Sequence, residues 1–534
     1  MESCLNFLVS NPLGNLLVLS FIHIITWCYC LTLKGWVSDD IEGIARFSDR
    51  FHQEKDQLGN IVKEEKIDSY EIEHGGKKYK IKNTQWNPSL EFPSCFMRWF
   101  RLMWGRRFKE IGKDSKGHTI YGWIQDARKH HLLNILFQLG NIILGYNLLT
   151  RFFGQQLAFY SILLFSVHPC SVQPVGWISG VNYLISLFGA LLTFNLVLYV
   201  DNQYLLYSLV ALSSVISCMT LLPGCFNFVI LLFLGFPKEA AVAGLVGLIF
   251  LWKLGRYSVN FRVNAFKAQQ MGASTRIYVR KLIIMVKTFG YYFKLILFPK
   301  RLGLFHTWGY HFEDTINYVN GEFWFGFLTL VGYLSLGFLA PDPVKLGVLW
   351  SIVYLLIFSN FITAQQFVSE RYAFISTFGT SLILAYYLQS YPVIIAFIAG
   401  ICIMRIWVHL PSFQNEVRFY EINNFNFPNS EVSMGNLGVA YLNHGMPNRA
   451  LDTWREATAQ NVLYDVPWYN LYSLCKQNGD LMGAKKFLTM CLNAKTIHFP
   501  EQWNKEMQDL DKIIKSSVSI NELTKQLNQS IKGV

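Results

Sequence analysis

Asp39 and Asp40 stand side by side just after the first long apolar segment, in Leu33-Lys34-Gly35-Trp36-Val37-Ser38-Asp39-Asp40. Adjacent like charges repel, and a low-dielectric boundary strengthens the repulsion, so such a pair binds a cation or polar substrate or accepts a proton. The alternative is a solvated charge flanking a membrane anchor. Other chemistry-bearing residues recur at the ends of apolar segments: His131, His168, Lys238-Glu239, Lys300-Arg301 and Glu370-Arg371. Each also has a structural reading. Lys238-Glu239 can pair locally, Lys300 and Arg301 can reach the interface from a span end, and Glu370-Arg371 can form a salt bridge that fixes a helix start. His131 and His168 can be satisfied by backbone. Neither has a partner at metal spacing, and the ten cysteines are scattered without a CxxC.

The elements that must position these residues are membrane helices. Of the 534 residues, 52% are hydrophobic, 16% aromatic and 15% charged, more apolar surface than one soluble core hides. Apolar stretches fall at 12–33, 132–150, 155–168, 175–200, 204–236, 239–252, 283–298, 322–340, 344–361, 371–388 and 391–410. That makes about eleven crossings of a ~30 Å hydrocarbon layer. Pro223-Gly224 interrupts 204–236, which reads either as one bent span or as a hairpin. The segment beginning at Pro12 has no Arg or Lys before it and is expected to stay as the first span. Met97–Phe108, with alternating basic and aromatic residues, reads as an interfacial amphipathic helix.

The net charge of +12 is not a nucleic-acid signature. Much of it lies in a stretch from Lys253 to Lys281 that lacks Asp and Glu, which the positive-inside rule assigns to the cytoplasm beside anionic lipid headgroups. Counting outward from that loop puts 34–130, His168-Pro169, 299–322, Ser369–Tyr372 and everything after Pro411 on the far side, together with Asp39 and Asp40.

The region after Pro411 is charged and repetitive. Leu437/Leu471, Gly445/Gly479, Ala450/Ala484, Trp454/Leu488 and Ala457/Cys491 each differ by 34, the tetratricopeptide period. Pro500 and Ser519-Ile520-Asn521-Glu522 suggest capping helices over 500–530. The repeats are expected to present a groove toward the site for an acceptor protein or partner subunit, or to buttress the membrane core.

In order along the chain, Asp39-Asp40, His131-Leu132-Leu133-Asn134-Ile135-Leu136, His168-Pro169, Val175-Gly176-Trp177-Ile178-Ser179-Gly180, Lys238-Glu239, Leu297-Phe298-Pro299 and Glu370-Arg371-Tyr372 precede the repeats. This series resembles the transmembrane and tetratricopeptide-repeat protein O-mannosyltransferases of the GT-C glycosyltransferase superfamily. The resemblance implies an all-α, polytopic membrane domain of GT-C type at 1–410, with a large extracytoplasmic loop at 34–130, and a repeat domain at 411–534. It implies transfer of a sugar, mannose, from a polyprenyl or dolichyl phosphate to protein Ser/Thr hydroxyls, with no metal or cofactor, in the endoplasmic reticulum or bacterial inner membrane. Asp39 or Asp40 would be the base, with inversion; Arg371, Lys238 and Arg301 would hold the phosphate, with His131, His168, Glu239 and Glu370 around the substrate.

The chain departs from that pattern. Similar proteins carry Glu at Gln173, Arg and Asp at Val181 and Tyr183, and His at Gln138. Each change removes charge, so the rival reading is a non-catalytic subunit that keeps the fold as an assembly platform. A lipid-linked sugar flippase or polymerase is a third.

Overall fold

The computed structural model describes residues 11–37, 50–55, 61–66, 69–74, 77–82, 103–113, 118–268, 277–304, 306, 319–361, 368–428, 430–460, 465–494 and 500–531. Seven helices among them are long and apolar enough to cross a bilayer: Pro12–Thr32, Ala127–Phe153, Ile178–Tyr199, Gln203–Thr220, Gly321–Leu339, Asp342–Ser359 and Pro392–Gln414. The protein is a helical membrane protein. By contact the chain divides into two compact units: Met1–Val259 with Arg280–Leu304 and Phe312–Phe419, and Asn260–Val279 with Phe305–His311 and Tyr420–Val534.

The first unit contains α1 (Pro12–Trp27), α2 (Ala127–Phe153), α3 (Gln155–Ser166), α4 (Val181–Tyr199), α5 (Gln203–Thr220), α6 (Asn227–Phe233), most of α7 (Pro237–Ala268), most of α8 (Ile277–Leu297), α9 (Gly321–Leu339), α10 (Asp342–Leu356), α11 (Glu370–Leu388) and α12 (Pro392–His409). The apolar stretches outside the seven differ for physical reasons. The 155–168 stretch is α3, whose 12 residues reach only about 18 Å. The 239–252 stretch lies inside a 32-residue helix that continues into the basic segment, and 283–298 lies in α8 with Arg280, Lys281, Lys287 and Lys294. The 204–236 stretch is not one continuous helix. It breaks at Leu221, which is extended (φ −153°, ψ 137°), and resumes as a 3-10 turn, Leu222–Phe226, and α6.

α11 sits inside the bundle. Every residue from Glu370 to Ile383 is buried, including Ser376, Thr377, Thr380 and Ser381. Polar side chains survive there because they bond along and between helices. Ser351 and Ser376 each donate a hydroxyl to the other's carbonyl at 3.2 Å, and Trp350 Nε1 donates to Ile375 O at 2.9 Å. Ser186 and Ser217 repeat the reciprocal bond between α4 and α5. Glycine lets α10 and α11 come this close: a Cβ on Gly379 would lie 2.3 Å from Gly347 O. Replacing Gly379 with Ala is therefore expected to cost about 1–3 kcal/mol, measured by thermal unfolding in detergent. An unchanged midpoint would mean that the α10–α11 contact is looser than these distances.

The helical expectation holds across the described residues except in the loop between α1 and α2. That loop holds six antiparallel strands: β1 (Arg50–Lys55), β2 (Ile61–Lys66), β3 (Ser69–His74), β4 (Lys77–Lys82), β5 (Arg106–Lys113) and β6 (Thr119–Gln125). They form a four-stranded sheet in the order β2-β1-β6-β5 and a β3-β4 hairpin. The sequence carries the reason: Tyr70-Glu71-Ile72-Glu73 and Tyr79-Lys80-Ile81-Lys82 alternate apolar and charged residues, the period of a strand, with Glu71 in register with Lys80 and Glu73 with Lys78. The interfacial helix expected at Met97–Phe108 is contradicted where it is described. Met103–Gly105 is a helical turn, but Arg106, Arg107 and Phe108 pair with Gln125, Ile124 and Trp123. Residues 97–102 lie outside the described residues. Asp126 then caps α2 through the Arg128 N–H at 3.1 Å. Partial burial disfavours its charge, but the hydrogen bond from Arg128 and the positive charges of Arg128 and Arg107 outweigh that and hold the carboxyl below its ordinary range.

The second unit is built from α14 (Glu431–Asn443), α15 (Pro447–Gln460), α16 (Asp465–Gln477), α17 (Leu481–Leu492) and α18 (Pro500–Ile531), which follow α13 (Glu416–Asn426). The 34-residue offset is structural. Gly445 and Gly479 both turn with left-handed backbone, φ 76° and 77°. Ala450 and Ala484 are fully buried where paired helices touch. Trp454 Nε1 donates to Gly435 O at 2.9 Å and lies over Gly438, which has no room for a Cβ. Trp503 and Leu510 of α18 pack on Tyr472, Leu488 and Cys491. α18 is one continuous helix, so Ser519-Ile520-Asn521-Glu522 does not start a new one. With no Gly or Pro between 501 and 531, nothing local ends it.

Candidate functional site

The buried polar junction of the membrane unit forms around the turn from His168 to Gly180. His168 Nδ1 accepts the Cys170 N–H at 3.1 Å, and Nε2 donates to Ile296 O at 2.9 Å. Both ring nitrogens are taken by backbone, which fixes the tautomer and leaves none for a substrate. His168 thus ties the turn to the last turn of α8, as its backbone-satisfied reading expects. Asn134 of α2 holds the same turn from the other side, its Nδ2 within 3.3, 3.2 and 2.9 Å of the carbonyls of Pro174, Val175 and Trp177. Gly180 is required because a Cβ there would lie 2.5 Å from Gln173 O.

Gln173 is the hub. Its Nε2 donates to Gly303 O at 2.9 Å and to the Glu370 carboxylate, while its Oε1 accepts the Ser369 hydroxyl at 2.8 Å. Glu370 Oε1 also accepts the Gly303 N–H at 2.8 Å. Gln173, Ser369 and Glu370 are each at most 2% exposed. The residue read in the sequence as a lost charge is thus the neutral donor that the buried Glu370 needs. A carboxylate at 173 would have no proton to give.

Arg371 lies beside this hub at the start of α11, 8% exposed. Its guanidinium carbon is 5.1 Å from the ring centres of both Trp177 and Tyr372, a cation–π arrangement. Trp177 Nε1 donates to Val37 O at 3.2 Å, tying the end of the first span to the Arg371 neighbourhood. Tyr183 is within 6.3 Å of the Tyr372 and Phe358 rings, and Val181 is buried against Leu133 and Ile185. Val181 and Tyr183, noted in the sequence as uncharged, are both buried.

The remaining candidates are distributed unevenly. Asp39 and Asp40 lie outside the described residues, two and three positions beyond Val37. His131 is 2% exposed, and neither ring nitrogen has a hydrogen-bond partner among the described residues, so it is a buried polar side chain near the Asn134 clamp. Lys238 is exposed and Glu239 half-buried at the start of α7, and no contact among the described residues joins either to Gln173, Glu370 or Arg371. The local ion pair between them is also not formed. Arg301 is exposed, two residues before Gly303. Sequence reasoning missed Ser369 and Gly303, whose only signal is their proximity to Glu370 and Pro299. It also missed Arg405, whose Nη2 donates to Lys300 O at 2.7 Å.

Fold and junction together define a multi-helix membrane protein with a buried, neutral-plus-ionic polar centre at one end of its bundle. Comparison with models of protein families, with curated proteins and with solved structures gives no match.

Proposed function

We propose that the chain is a GT-C-type membrane glycosyltransferase, with about eleven crossings and tetratricopeptide repeats on the extracytoplasmic side. It transfers a sugar, mannose, from a polyprenyl-phosphate carrier to a Ser or Thr hydroxyl. The observation that carries the reading is convergence. His168, Gln173, Trp177, Ile296 and Glu370-Arg371-Tyr372 are up to about two hundred residues apart in sequence, yet hydrogen bonds and ring contacts join them around one buried turn. In this reading Asp39 or Asp40 removes the hydroxyl proton as the oxygen attacks the anomeric carbon. The carbon–phosphate oxygen bond breaks on the opposite face, and the departing lipid phosphate, needing no proton, is held by Arg371. Inversion follows.

One observation favours the rival, a non-catalytic assembly subunit: His168 and Glu370 are both committed to internal hydrogen bonds, and neither Val181 nor Tyr183 offers charge. Replacing each aspartate with Asn separates the two. In membranes supplied with the lipid-phosphate sugar and a hydroxyl peptide, D39N or D40N, whichever removes the base, is expected to lower transfer by about 10² or more with thermal stability unchanged. Equal transfer by both variants and the unmutated protein would reject the proposed base.

A further inference from the structure

A second cationic group lies at the seam between the end of α8 and α12. Lys294 is in the last turn of α8, its Nζ 4.3 Å from the centre of the Phe325 ring of α9, Lys300 and Arg301 follow it, and all three are exposed. Arg405 of α12 is drawn to the same place, its Nε and Nη2 donating to Pro299 O and Lys300 O. None of the four makes an ion pair with a described residue. Two carboxylates act on the region electrostatically, Glu370 on Arg405 and Glu322 on Tyr291, which also feels Arg301. Neither comes within ion-pair distance of the four cations, and Glu370 is committed to Gln173 and Gly303. Around the cations the surface is apolar: Phe298 is 76% exposed, Val408 69% and Met404 58%. Cations that make no ion pair among the described residues and border exposed apolar side chains beside α8 and α12 suit an anion that also carries hydrocarbon.

We propose that this seam binds the phosphate of an anionic bilayer phospholipid, with Lys300, Arg301 and Arg405 around the headgroup and the acyl chains along Phe298, Met404 and Val408. The site stands on the surface of the bundle and needs no glycosyltransferase activity. It gives Arg301 a ligand other than the donor phosphate. Bound lipid would also brace the 299–303 segment, which ends at the Glu370 contact.

The test uses the full chain in phosphatidylcholine bilayers with trace spin-labelled phosphatidylglycerol or phosphatidylcholine, reading the motionally restricted fraction. The unmutated protein is expected to retain phosphatidylglycerol preferentially. The exposed double variant K300Q/R301Q, which leaves Arg405 and its carbonyl contacts in place, is expected to lose that preference on the order of tenfold, and added salt to weaken it. R405Q is expected to lose it as well. Equal retention of the two lipids by the unmutated protein overturns the proposal, as does an unchanged preference in folded K300Q/R301Q. Retention of a spin-labelled polyprenyl phosphate with no preference for phosphatidylglycerol also overturns it, returning the seam to the donor.

Discussion

Gln173→Glu is expected to destabilise the membrane unit by about 3 kcal/mol or more, because it sets a second carboxylate against Glu370 inside a buried junction. The native amide donates to Glu370 and to Gly303 O while accepting from Ser369. A carboxylate can do only the last of these. With both groups ionised the charges repel, and with one protonated a single proton must serve where two N–H bonds stood, leaving Gly303 O without its donor. The measurement is thermal unfolding in detergent, run as a double-mutant cycle with Glu370→Gln. The swapped pair Q173E/E370Q again faces an amide with a carboxylate and is expected to recover more than half of the loss. If the swap is no more stable than Q173E, the Gln173–Glu370 contact is not what holds the turn to α11.

Replacement of Arg371 is expected to have the largest effect on transfer. Arg371→Gln removes the buried cation that packs on Trp177, whose Nε1 bonds Val37 O, and, under the proposed function, should lower kcat/KM by about 10²–10³. Arg371→Lys keeps the charge but loses the planar fork and its packing between Trp177 and Tyr372, so it should recover only part of the activity. Stability separates a phosphate-binding role from a packing role. Loss of the two ring contacts alone should cost about 1–2 kcal/mol, similar in both variants, whereas the activity loss should be much larger for Gln than for Lys. Equal activities for Lys and Gln, tracking stability alone, would make Arg371 a structural cation and favour the assembly-subunit reading.

Much of this architecture is written in local pattern. Apolar length marks the crossing helices because an unsatisfied backbone cannot sit in hydrocarbon. The 34-residue offset marks the helix pairs because each must present small residues, Ala450 and Ala484, where its two helices touch. The strands of the first loop were legible too, in the alternation around Tyr70 and Tyr79, and were missed beside the stronger apolar signal. The candidate charges were visible as types and positions. Whether Ser519–Glu522 starts a helix was not, since the same residues are tolerated inside one.

Only the tertiary structure decided what those charges do. His168 looks like a ligand in sequence and becomes a backbone tie, because the end of α8 lies beside it with a free carbonyl. Gln173 looks like a lost acid and becomes the donor a buried Glu370 requires. Lys238 and Arg371 look equivalent as phosphate ligands, yet one is exposed at a helix start and the other packs between two aromatic rings. Sequence determines which groups can ionise, donate or cross a membrane, because those are properties of single residues and short periods. Which groups face each other across nearly two hundred residues depends on helix packing and on glycines such as Gly180 and Gly379, where close backbone approach sets the distances.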